Sequence, residues 1–200
     1  MPDTAQMAVL ASRNPKKLRE MQALLEPLGI ALRAVSEFSD EEPDEIAPSF
    51  VENALIKARH ACRVSGLPAI ADDSGLEVAA LHGAPGVRSA RYAGTGADDA
   101  ANNRKLLAAL QGVPTERRGA RFVCTMVYLR HPDDPVPLIA QGLWSGHIVE
   151  TPSGTNGFGY DPLFRVDEQG CTSAELAPEL KNRISHRGRA AAELLRLLRG

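Results

Sequence analysis

The chain has 200 residues, of which 44% are hydrophobic and 24% charged, and its formal net charge is -2. This length and composition suit one globular domain, or two closely associated lobes, with a sizeable buried core. The slightly negative charge argues against binding of duplex nucleic acid through a broad basic surface, because that mode needs many contacts to phosphates. No apolar run approaches the ~20 residues of a membrane span, so we expect neither a nucleic acid nor a membrane as partner.

The first part of the chain alternates strand and helix patterns. Residues 7–12 form a short apolar run, and apolar residues then recur at helical spacing until Gly29. A second strand is predicted over residues 30–35, and Ser49 is a suitable N-cap for a second helix that ends before Gly66. Residues 67–71 then return as a strand. This order predicts an α/β sheet covered by helices.

Residues 36–48, between the second strand and the second helix, are acidic and rich in turn formers. Their carboxylates are Glu37, Asp40, Glu41, Glu42, Asp44 and Glu45. This composition predicts a mobile loop. For any one of these side chains, simple solvation is the alternative to a role in binding.

The second half of the chain has a different pattern. Asp98 or Asp99 can cap a helix that reaches Leu110. Residues 121–130 alternate over the length of a strand, and residues 137–150 predict a pair of strands interrupted by glycines. We expect these strands to pair antiparallel, which makes the predicted sheet a mixed one.

The three cysteines of the chain indicate a cellular compartment. Cys62, Cys124 and Cys171 are far apart and form neither a C-x-x-C metal pattern nor an even-numbered disulfide framework. Reduced thiols are typical of the cytosol. We therefore expect a cytoplasmic protein.

The loop between the first strand and the first helix offers several groups that bind anions. Its members are Ser12, Arg13, Asn14, Pro15, Lys16 and Lys17. A helix start attracts anions through its dipole and its free N–H groups, and Pro15 is compatible with the first turn. The loop therefore suits phosphate, although a solvated helix start capped by Ser12 or Asn14 has the same pattern. Kinase and dehydrogenase hypotheses lose support, because neither a P-loop nor a G-x-G-x-x-G fingerprint occurs.

Two adjacent carboxylates and a hydroxyl, on Asp72, Asp73 and Ser74, follow the third predicted strand. A strand that ends at an acidic turn exposes charged oxygens at a sheet edge, where a magnesium ion and a phosphorylated ligand can share them. The same pattern is typical of ordinary turns and helix caps.

Aromatic and basic residues late in the chain can bind a purine base. The ring of Phe158 can stack on a base, and Lys181, His186 and Arg187 can donate to a six-keto oxygen. Adenine carries an amine at that position, so such donors discriminate against it. The structural alternatives are core packing for Phe158 and, for the two residues after Ser185, an exposed start of the last helix.

In order and approximate spacing, these segments and residues 158–161 resemble the inosine triphosphate pyrophosphatase family. The resemblance covers residues 9–198 and includes residues 50–54 and 86–92. It implies a mixed central β-sheet flanked by helices, in an elongated, two-lobed single domain over residues 1–200. The active site of such a domain is expected in the cleft between the lobes.

The resemblance implies hydrolysis of the triphosphates of inosine, deoxyinosine and xanthosine, which removes deaminated purines from the nucleotide pool. Water would attack the α-phosphorus with the help of Mg²⁺, releasing the nucleoside monophosphate and pyrophosphate. By resemblance, Asp73 is the catalytic residue, and Glu45 and Asp73 hold the metal. The implied partners are the purine nucleoside triphosphate and a second copy of the chain in a homodimer.

The resemblance also implies which residues contact the substrate. They are Ser12, Arg13, Asn14, Pro15, Lys16, Lys17, Ser74, Phe158, Gly159, Tyr160, Asp161, Lys181, His186 and Arg187. Arg13 departs from the small residue often found there, and it either contacts phosphate or points into solvent. Lys57 is left outside the set, because a surface lysine is its simpler interpretation.

Two other hypotheses stay open. A pyrophosphatase similar to the Maf family would act on pyrimidine or modified nucleotides, and the segment from Ser185 to Gly188 argues against it. A nucleotide sensor would bind without hydrolysis, retaining Lys17 and Arg187 but having no need of Asp73. Magnesium dependence separates hydrolysis from sensing, because chelation abolishes turnover but only weakens binding.

Overall fold

The structure is a computed structural model that describes residues 6–200, apart from the side chains of Lys16, Glu20 and Leu24. Within these residues the strands are β1 (Gln6–Leu10), β2 (Ile30–Ala34), β3 (Ala69–Val78), β4 (Gly119–Leu129), β5 (Leu138–Ile148), β6 (Phe164–Val166) and β7 (Cys171–Thr172). The α-helices are α1 (Pro15–Leu25), α2 (Phe50–Ser65), α3 (Asp99–Ala109), α4 (Pro178–Ile184) and α5 (His186–Arg199).

The strands form one sheet in the order β2-β1-β3-β4-β5-β6-β7. β1 pairs parallel with β2 and with β3, whereas β6 pairs antiparallel with β5 and with β7. Parallel strands need a crossover connection. α1 connects β1 to β2, and α2 connects β2 to β3, which lies on the other side of β1. The predicted α/β fold with a mixed sheet is confirmed.

The chain forms two compact units. Unit 1 consists of Met1–Asp73, Thr125–Gln141 and Ala190–Gly200, and unit 2 consists of Ser74–Cys124 and Gly142–Arg189. The core of unit 1 is rich in small apolar residues, among them Val9, Ala54, Ala58, Ala61, Ala69, Ala71 and Val127. The core of unit 2 contains large aromatic residues, among them Phe122, Trp144, Tyr160 and Phe164.

The ends of α2 follow from residues close to them. Ser49 caps the start by accepting a hydrogen bond from the backbone N–H of Glu52, and Gly66 ends the helix with a φ of 69°. The buried face carries small residues, namely Asn53, Ala54, Ala58, Ala61 and Cys62. Short side chains on one helical face let the helix backbone lie close to the structure that it covers. Both predicted ends of this helix are confirmed.

The prediction that the third strand ends at residue 71 is wrong. β3 continues through Asp72, Asp73 and Ser74 to Val78. Both carboxylates are buried, and burial of a charge is tolerated only with a partner that compensates it. Lysines from α1 and α2 pair with them, so the acidic residues remain inside a regular strand.

The prediction of a strand pair over residues 137–150 is also wrong, because β5 is one continuous strand. At Gly146 an added Cβ would lie 2.2 Å from the backbone oxygen of Arg165 in β6. This glycine therefore permits a close approach of the neighbouring strand and does not mark a turn.

The predicted cap of α3 is confirmed. Asp98 caps α3 by accepting a hydrogen bond from the N–H of Ala101 at 2.7 Å. After a short 3₁₀ turn over Val35–Glu37, the acidic segment is irregular up to Ser49, and its mobility stays a prediction. In the part of the chain that the structure describes, no helix combines the length and the apolar character needed to cross a membrane.

Candidate functional site

Unit 1 contains a charged cluster that consists of Lys17, Glu45, Lys57, Asp72 and Asp73. Lys17, in the first turn of α1, forms an ion pair with Asp72. The Lys57 Nζ atom, on α2, lies 2.8 Å from Glu45 Oε1 and 3.3 Å from Asp73 Oδ1. Neighbouring residues of a strand point in opposite directions, so the two adjacent aspartates pair with lysines from different helices.

Asn53 fixes the orientation of the Asp73 carboxylate. Its Nδ2 atom donates to Asp73 Oδ2 at 3.2 Å, so both carboxylate oxygens have a partner from α2. The same amide bonds the backbone of Ala47, two residues after Glu45, through its Oδ1 at 3.0 Å and its Nδ2 at 3.3 Å. Asn53 therefore connects the acidic segment to the carboxylate on β3.

The surroundings of Asp73 and Lys57 change their acidity. Burial raises the pKa of Asp73, and the nearby Glu45 carboxylate adds to that rise, while Lys57 and Asn53 oppose it. Burial alone would lower the pKa of Lys57, but the charges of Asp73, Glu45 and Asp72 outweigh it and raise the pKa. A carboxylate with a raised pKa is a stronger base, and a lysine with a raised pKa stays cationic.

The start of α1 is organised by its own polar side chains. Ser12 Oγ accepts a hydrogen bond from the N–H of Asn14 at 3.2 Å, and Asn14 Oδ1 accepts from the N–H of Lys17 at 3.4 Å. This arrangement is the capped helix start that the sequence analysis gave as the alternative to phosphate binding. A capped helix start can still bind an anion through its dipole and backbone N–H groups. Of the predicted contacts in this loop, the Lys16 side chain lies outside the described residues.

The Arg13 side chain is partly exposed and is bonded to the acidic segment. Its guanidinium donates to the backbone oxygens of Ser39 and Glu41 at 3.2 and 3.3 Å. It also forms an ion pair with Glu42 at 2.8 Å. Arg13 therefore joins the α1 loop to the acidic segment.

A cavity of about 240 Å³ lies among these residues in unit 1. Predicted site residues line it, namely Ser12, Arg13, Lys17 and Glu45, together with Asp72. Lys57 and His60, which the sequence did not select, line it as well. The His60 Nε2 atom is buried and has no hydrogen-bond partner among the described residues. The cavity thus combines cationic groups that suit phosphate with carboxylates that suit a metal ion.

The donor set of this cluster fits magnesium. The described residues contain no group of three or more His, Cys, Asp or Glu side chains able to hold a metal by themselves. Glu45 and Asp73 nevertheless approach the same cation, the Lys57 ammonium, so their oxygens converge on one charged group. Magnesium is bound by hard oxygens and usually needs only one or two carboxylates when substrate phosphates complete its shell.

Unit 2 contains an aromatic-basic cluster formed by Phe158, Lys181 and Arg187. The Phe158 side chain is 61% exposed, so the core-packing alternative is wrong. Lys181 Nζ lies 5.4 Å and Arg187 Cζ 5.7 Å from the centroid of the Phe158 ring. An exposed ring beside two cations is suited to stacking on a flat, electron-rich ligand.

Asp161 organises the loop that carries Phe158. Its buried carboxylate accepts hydrogen bonds from the N–H of Phe158 at 2.9 Å and from Ser173 Oγ at 2.8 Å, and it forms an ion pair with Lys181. At Gly157 an added Cβ would lie 2.1 Å from Asp161 Oδ2, so only glycine fits beside this carboxylate. Asp161 thus holds both the loop and the lysine.

Tyr160 and His186 are buried, unlike Phe158. The Tyr160 hydroxyl donates to the backbone oxygen of Ser89 at 2.8 Å, and burial raises its pKa. The His186 ring stacks on Phe122 with centroids 4.7 Å apart and an angle of 13° between the rings. The alternative of an exposed helix start is therefore wrong for His186, and contact of either residue with a ligand stays a prediction.

The third residue of α5, Gly188, must be a glycine. Ser185 Oγ accepts a hydrogen bond from the N–H of Gly188 at 3.3 Å, as expected of the predicted cap. A Cβ at Gly188 would lie 1.9 Å from the backbone oxygen of Asn182 in α4. The close approach of α4 and α5 sets the positions of His186 and Arg187, the first two residues of α5.

Sequence reasoning missed Asn53 and Lys57. They occupy positions i and i+4 of α2, which places them on one side of the helix. The sequence shows this spacing, but it does not show that this side of α2 faces Asp73. Asp73 itself is placed in the charged cluster of unit 1, and Ser74 follows it on β3.

The model of the Ham1 family matches residues 8–197. A dITP/XTP pyrophosphatase of Pseudomonas syringae pv. tomato is 60% identical over 182 residues, which cover 91% of each chain. A dITP/XTP pyrophosphatase of Vibrio cholerae is 53% identical over 190 residues, which cover 95% of each chain.

Solved structures agree with the sequence comparisons. A HAM1 protein from Coxiella burnetii has a TM-score of 0.93 and 50% identity, covering 97% of this chain and 98% of its own. The Staphylococcus aureus Ham1 protein has a TM-score of 0.90 and 38% identity, covering 98% of this chain and 99% of its own. The resemblance found in the sequence is confirmed, and the chain belongs to the Ham1 family.

Proposed function

We propose that the protein hydrolyses the triphosphates of inosine, deoxyinosine and xanthosine to the monophosphate and pyrophosphate. This activity removes deaminated, non-standard purines from the nucleotide pool. The observation that carries the proposal is the buried Asp73 carboxylate, with both oxygens held by Asn53 and Lys57. The names of the relatives, which are dITP/XTP pyrophosphatases, support it.

The charged cluster supplies the groups that a triphosphate needs. Lys17 and Lys57 are cations beside a cavity, and the start of α1 adds backbone N–H groups. Ser12 and Asn14 contribute polar side chains at the same helix start. We assign phosphate binding to these residues, and to Arg13 the different role of holding the acidic segment.

Magnesium is the metal that we propose, and Glu45 and Asp73 would hold it. When bound, it supplies a positive charge that offsets the charge developing on the phosphoryl oxygens. Lys57 offsets charge in the same way from the protein side, since its raised pKa keeps it protonated.

Asp73 orients and deprotonates the attacking water. The water oxygen forms a bond to the α-phosphorus, the bond from that phosphorus to the bridging oxygen breaks, and the proton passes to the Asp73 carboxylate. Pyrophosphate leaves with the bonding electrons, so no covalent enzyme intermediate is needed. Burial favours the protonated form of Asp73, which makes the carboxylate a better proton acceptor than an exposed one.

The aromatic-basic cluster accounts for recognition of the base. Phe158 offers a face for stacking, and Lys181 and Arg187 offer donors to the six-keto oxygen of hypoxanthine or xanthine. Adenine would leave these donors unpaired, and that mismatch is costly. Neither a Maf-like pyrophosphatase nor a sensor is favoured, because the curated relatives carry the dITP/XTP activity in their names.

A homodimer and a cytoplasmic location complete the proposal. Val136 and Ile139 in unit 1 are apolar and 66% and 46% exposed, and a dimer contact would cover such residues. The free thiols of Cys62, Cys124 and Cys171 suit a reducing compartment. Sedimentation equilibrium tests the dimer, and a mass of 21.4 kDa at all concentrations would contradict it.

The experiment that tests the activity measures pyrophosphate release from inosine, xanthosine, adenosine, guanosine and thymidine triphosphates with Mg²⁺. We expect rapid release from the first two only, no release after chelation, and loss of release in Asp73→Asn. Asp44→Asn removes an exposed carboxylate from the acidic segment and serves as the matched control. Preference for thymidine triphosphate, or binding of all five without release, would contradict the proposal.

A further inference from the structure

The backbone next to Phe158 is held by side chains from α3. Asp99 Oδ2 accepts a hydrogen bond from the N–H of Gly159 at 2.7 Å. Asn103 Nδ2 donates to the carbonyl oxygen of Gly159 at 2.9 Å. The N–H of Phe158 donates to the Asp161 carboxylate, so three of the four backbone polar groups of Phe158 and Gly159 are bonded to side chains.

The chemistry of these contacts fixes their direction. A carbonyl oxygen only accepts, so the Asn103 group that faces it must be the amide nitrogen. A backbone N–H only donates, so Asp99 must present a carboxylate oxygen to Gly159. Asp99 and Asn103 are one helical turn apart, which lets one side of α3 bond both polar groups of a single residue.

These hydrogen bonds compensate for the exposure of the Phe158 ring. An exposed ring on a loop has few contacts of its own to hold it, and ordering it when a base binds would cost conformational entropy. If the peptide groups beside the ring are already held, that cost is met during folding instead of during binding. Asp99 and Asn103 therefore prepare a stacking surface without touching the base.

We propose that Asp99 and Asn103 are positioning residues for recognition of the purine base, acting through the backbone of Gly159. The inference rests on the proposed function of the aromatic-basic cluster. It assigns no role in catalysis to either residue, since both act on the loop and not on the phosphates.

The test uses Asp99→Ala and Asn103→Ala in the full chain, with steady-state hydrolysis of xanthosine triphosphate as the first measurement. We expect KM to rise about three- to ten-fold in each variant, the effect of one lost hydrogen bond, with kcat changed less than about two-fold. Asp99→Asn retains an acceptor and should restore KM. Arg104→Ala, on an exposed position of the same helix, is the matched control.

A second measurement separates positioning of the base from general damage. Inorganic tripolyphosphate has no base, so its inhibition constant should be the same in both variants and in the unaltered protein. The double variant should raise KM by less than the product of the single effects, because both residues hold Gly159. An unchanged KM in both single variants, or a parallel rise of KM and of the tripolyphosphate constant, would overturn the inference.

Failure of the proposed function gives a different result. In that case the unaltered protein releases no pyrophosphate from any purine nucleoside triphosphate. Calorimetric titration with xanthosine triphosphate then still tests the positioning role. Weaker binding in Asp99→Ala and Asn103→Ala supports it, and equal binding in all variants rejects it.

Discussion

In unit 1 the catalytic candidate, Asp73, is a buried carboxylate on a regular strand, whereas in unit 2 the base-stacking candidate, Phe158, is an exposed ring on an irregular loop. Each therefore occupies the environment that its residue type usually avoids. For Asp73 the compensation is charge, supplied by Lys57 and by the amide of Asn53. For Phe158 the compensation is a backbone held by Asp99, Asn103 and Asp161.

This difference predicts how substitutions in each unit affect stability and function. A buried carboxylate depends on partners that are distant in the sequence. Removal of one partner leaves a buried charge without compensation, which lowers the stability of the fold as well as the catalytic rate. An exposed ring contributes little to folding, so its removal affects ligand binding alone. Substitutions in the two regions should therefore separate stability from function in opposite ways.

The largest expected effect is that of Asp73→Asn. Loss of the base should lower kcat about 1,000-fold, within the range usual for a general base. Stability should change in the opposite direction, because burial raises the folded pKa of Asp73 above its unfolded value, so the ionised side chain destabilises the fold at neutral pH. The variant should be more stable than the unaltered protein at pH 7.

The pH dependence checks the sign of this effect. As the pH falls through the pKa of Asp73 the carboxylate becomes neutral, so the stability advantage of Asp73→Asn should disappear at acidic pH. Urea unfolding at a series of pH values measures it. A variant that is less stable than the unaltered protein at pH 7 would contradict the importance of burial for this carboxylate.

Lys57→Met should have the next largest effect. It removes the cation shared by Asp73 and Glu45, and we expect the free energy of unfolding to fall by about 2 kcal/mol, less than for a fully buried pair because Glu45 is partly exposed. Urea unfolding at pH 7.5 measures the loss. Arg63→Met, on an exposed position of α2, should leave stability unchanged.

A double variant sharpens this prediction. Lys57→Met combined with Asp73→Asn removes the uncompensated carboxylate along with its cation, so Asp73→Asn should add more stability in the Lys57→Met background than in the unaltered protein. If the two single effects simply add in the double variant, the lysine stabilises the fold through packing and not through its charge.

Phe158→Ala tests the other side of the comparison. Loss of one stacked base typically weakens binding by about 1–3 kcal/mol, so KM for xanthosine triphosphate should rise roughly ten-fold or more. Because the ring is 61% exposed, the melting temperature should hardly change. Met7→Ala, at another exposed apolar residue, is the control, and a lower melting temperature with an unchanged KM would contradict the stacking role.

Arg13→Ala should have the smallest effect. Its ion pair with Glu42 is partly exposed, and exposed pairs contribute little. Freeing the acidic segment should raise the Mg²⁺ concentration for half-maximal activity by up to about three-fold, a difference that high salt should reduce. Arg19→Ala, exposed on α1, is the control, and a large loss of kcat would indicate that Arg13 contacts phosphate instead.

From the amino-acid sequence alone, the family, the mixed α/β class and the capped helix ends at Ser49, Gly66 and Asp98 could be predicted. Helix caps depend on residues a few positions apart, so a short segment of sequence is enough to predict them. The motif residues Asp73 and Phe158 could likewise be selected, because their residue types and order match those of the family.

Only the tertiary structure decided how these residues are compensated. Asp73 lies 16 positions from Lys57 and 20 from Asn53, and Phe158 is held partly by Asp99 from a distant helix. Such pairings depend on which helix covers which strand, and nothing local encodes them. For the same reason the sequence predicted a turn at residues where β3 continues. Two adjacent acidic residues usually end a strand because their charges need water, but they can stay inside a strand when lysines from other parts of the chain pair with them.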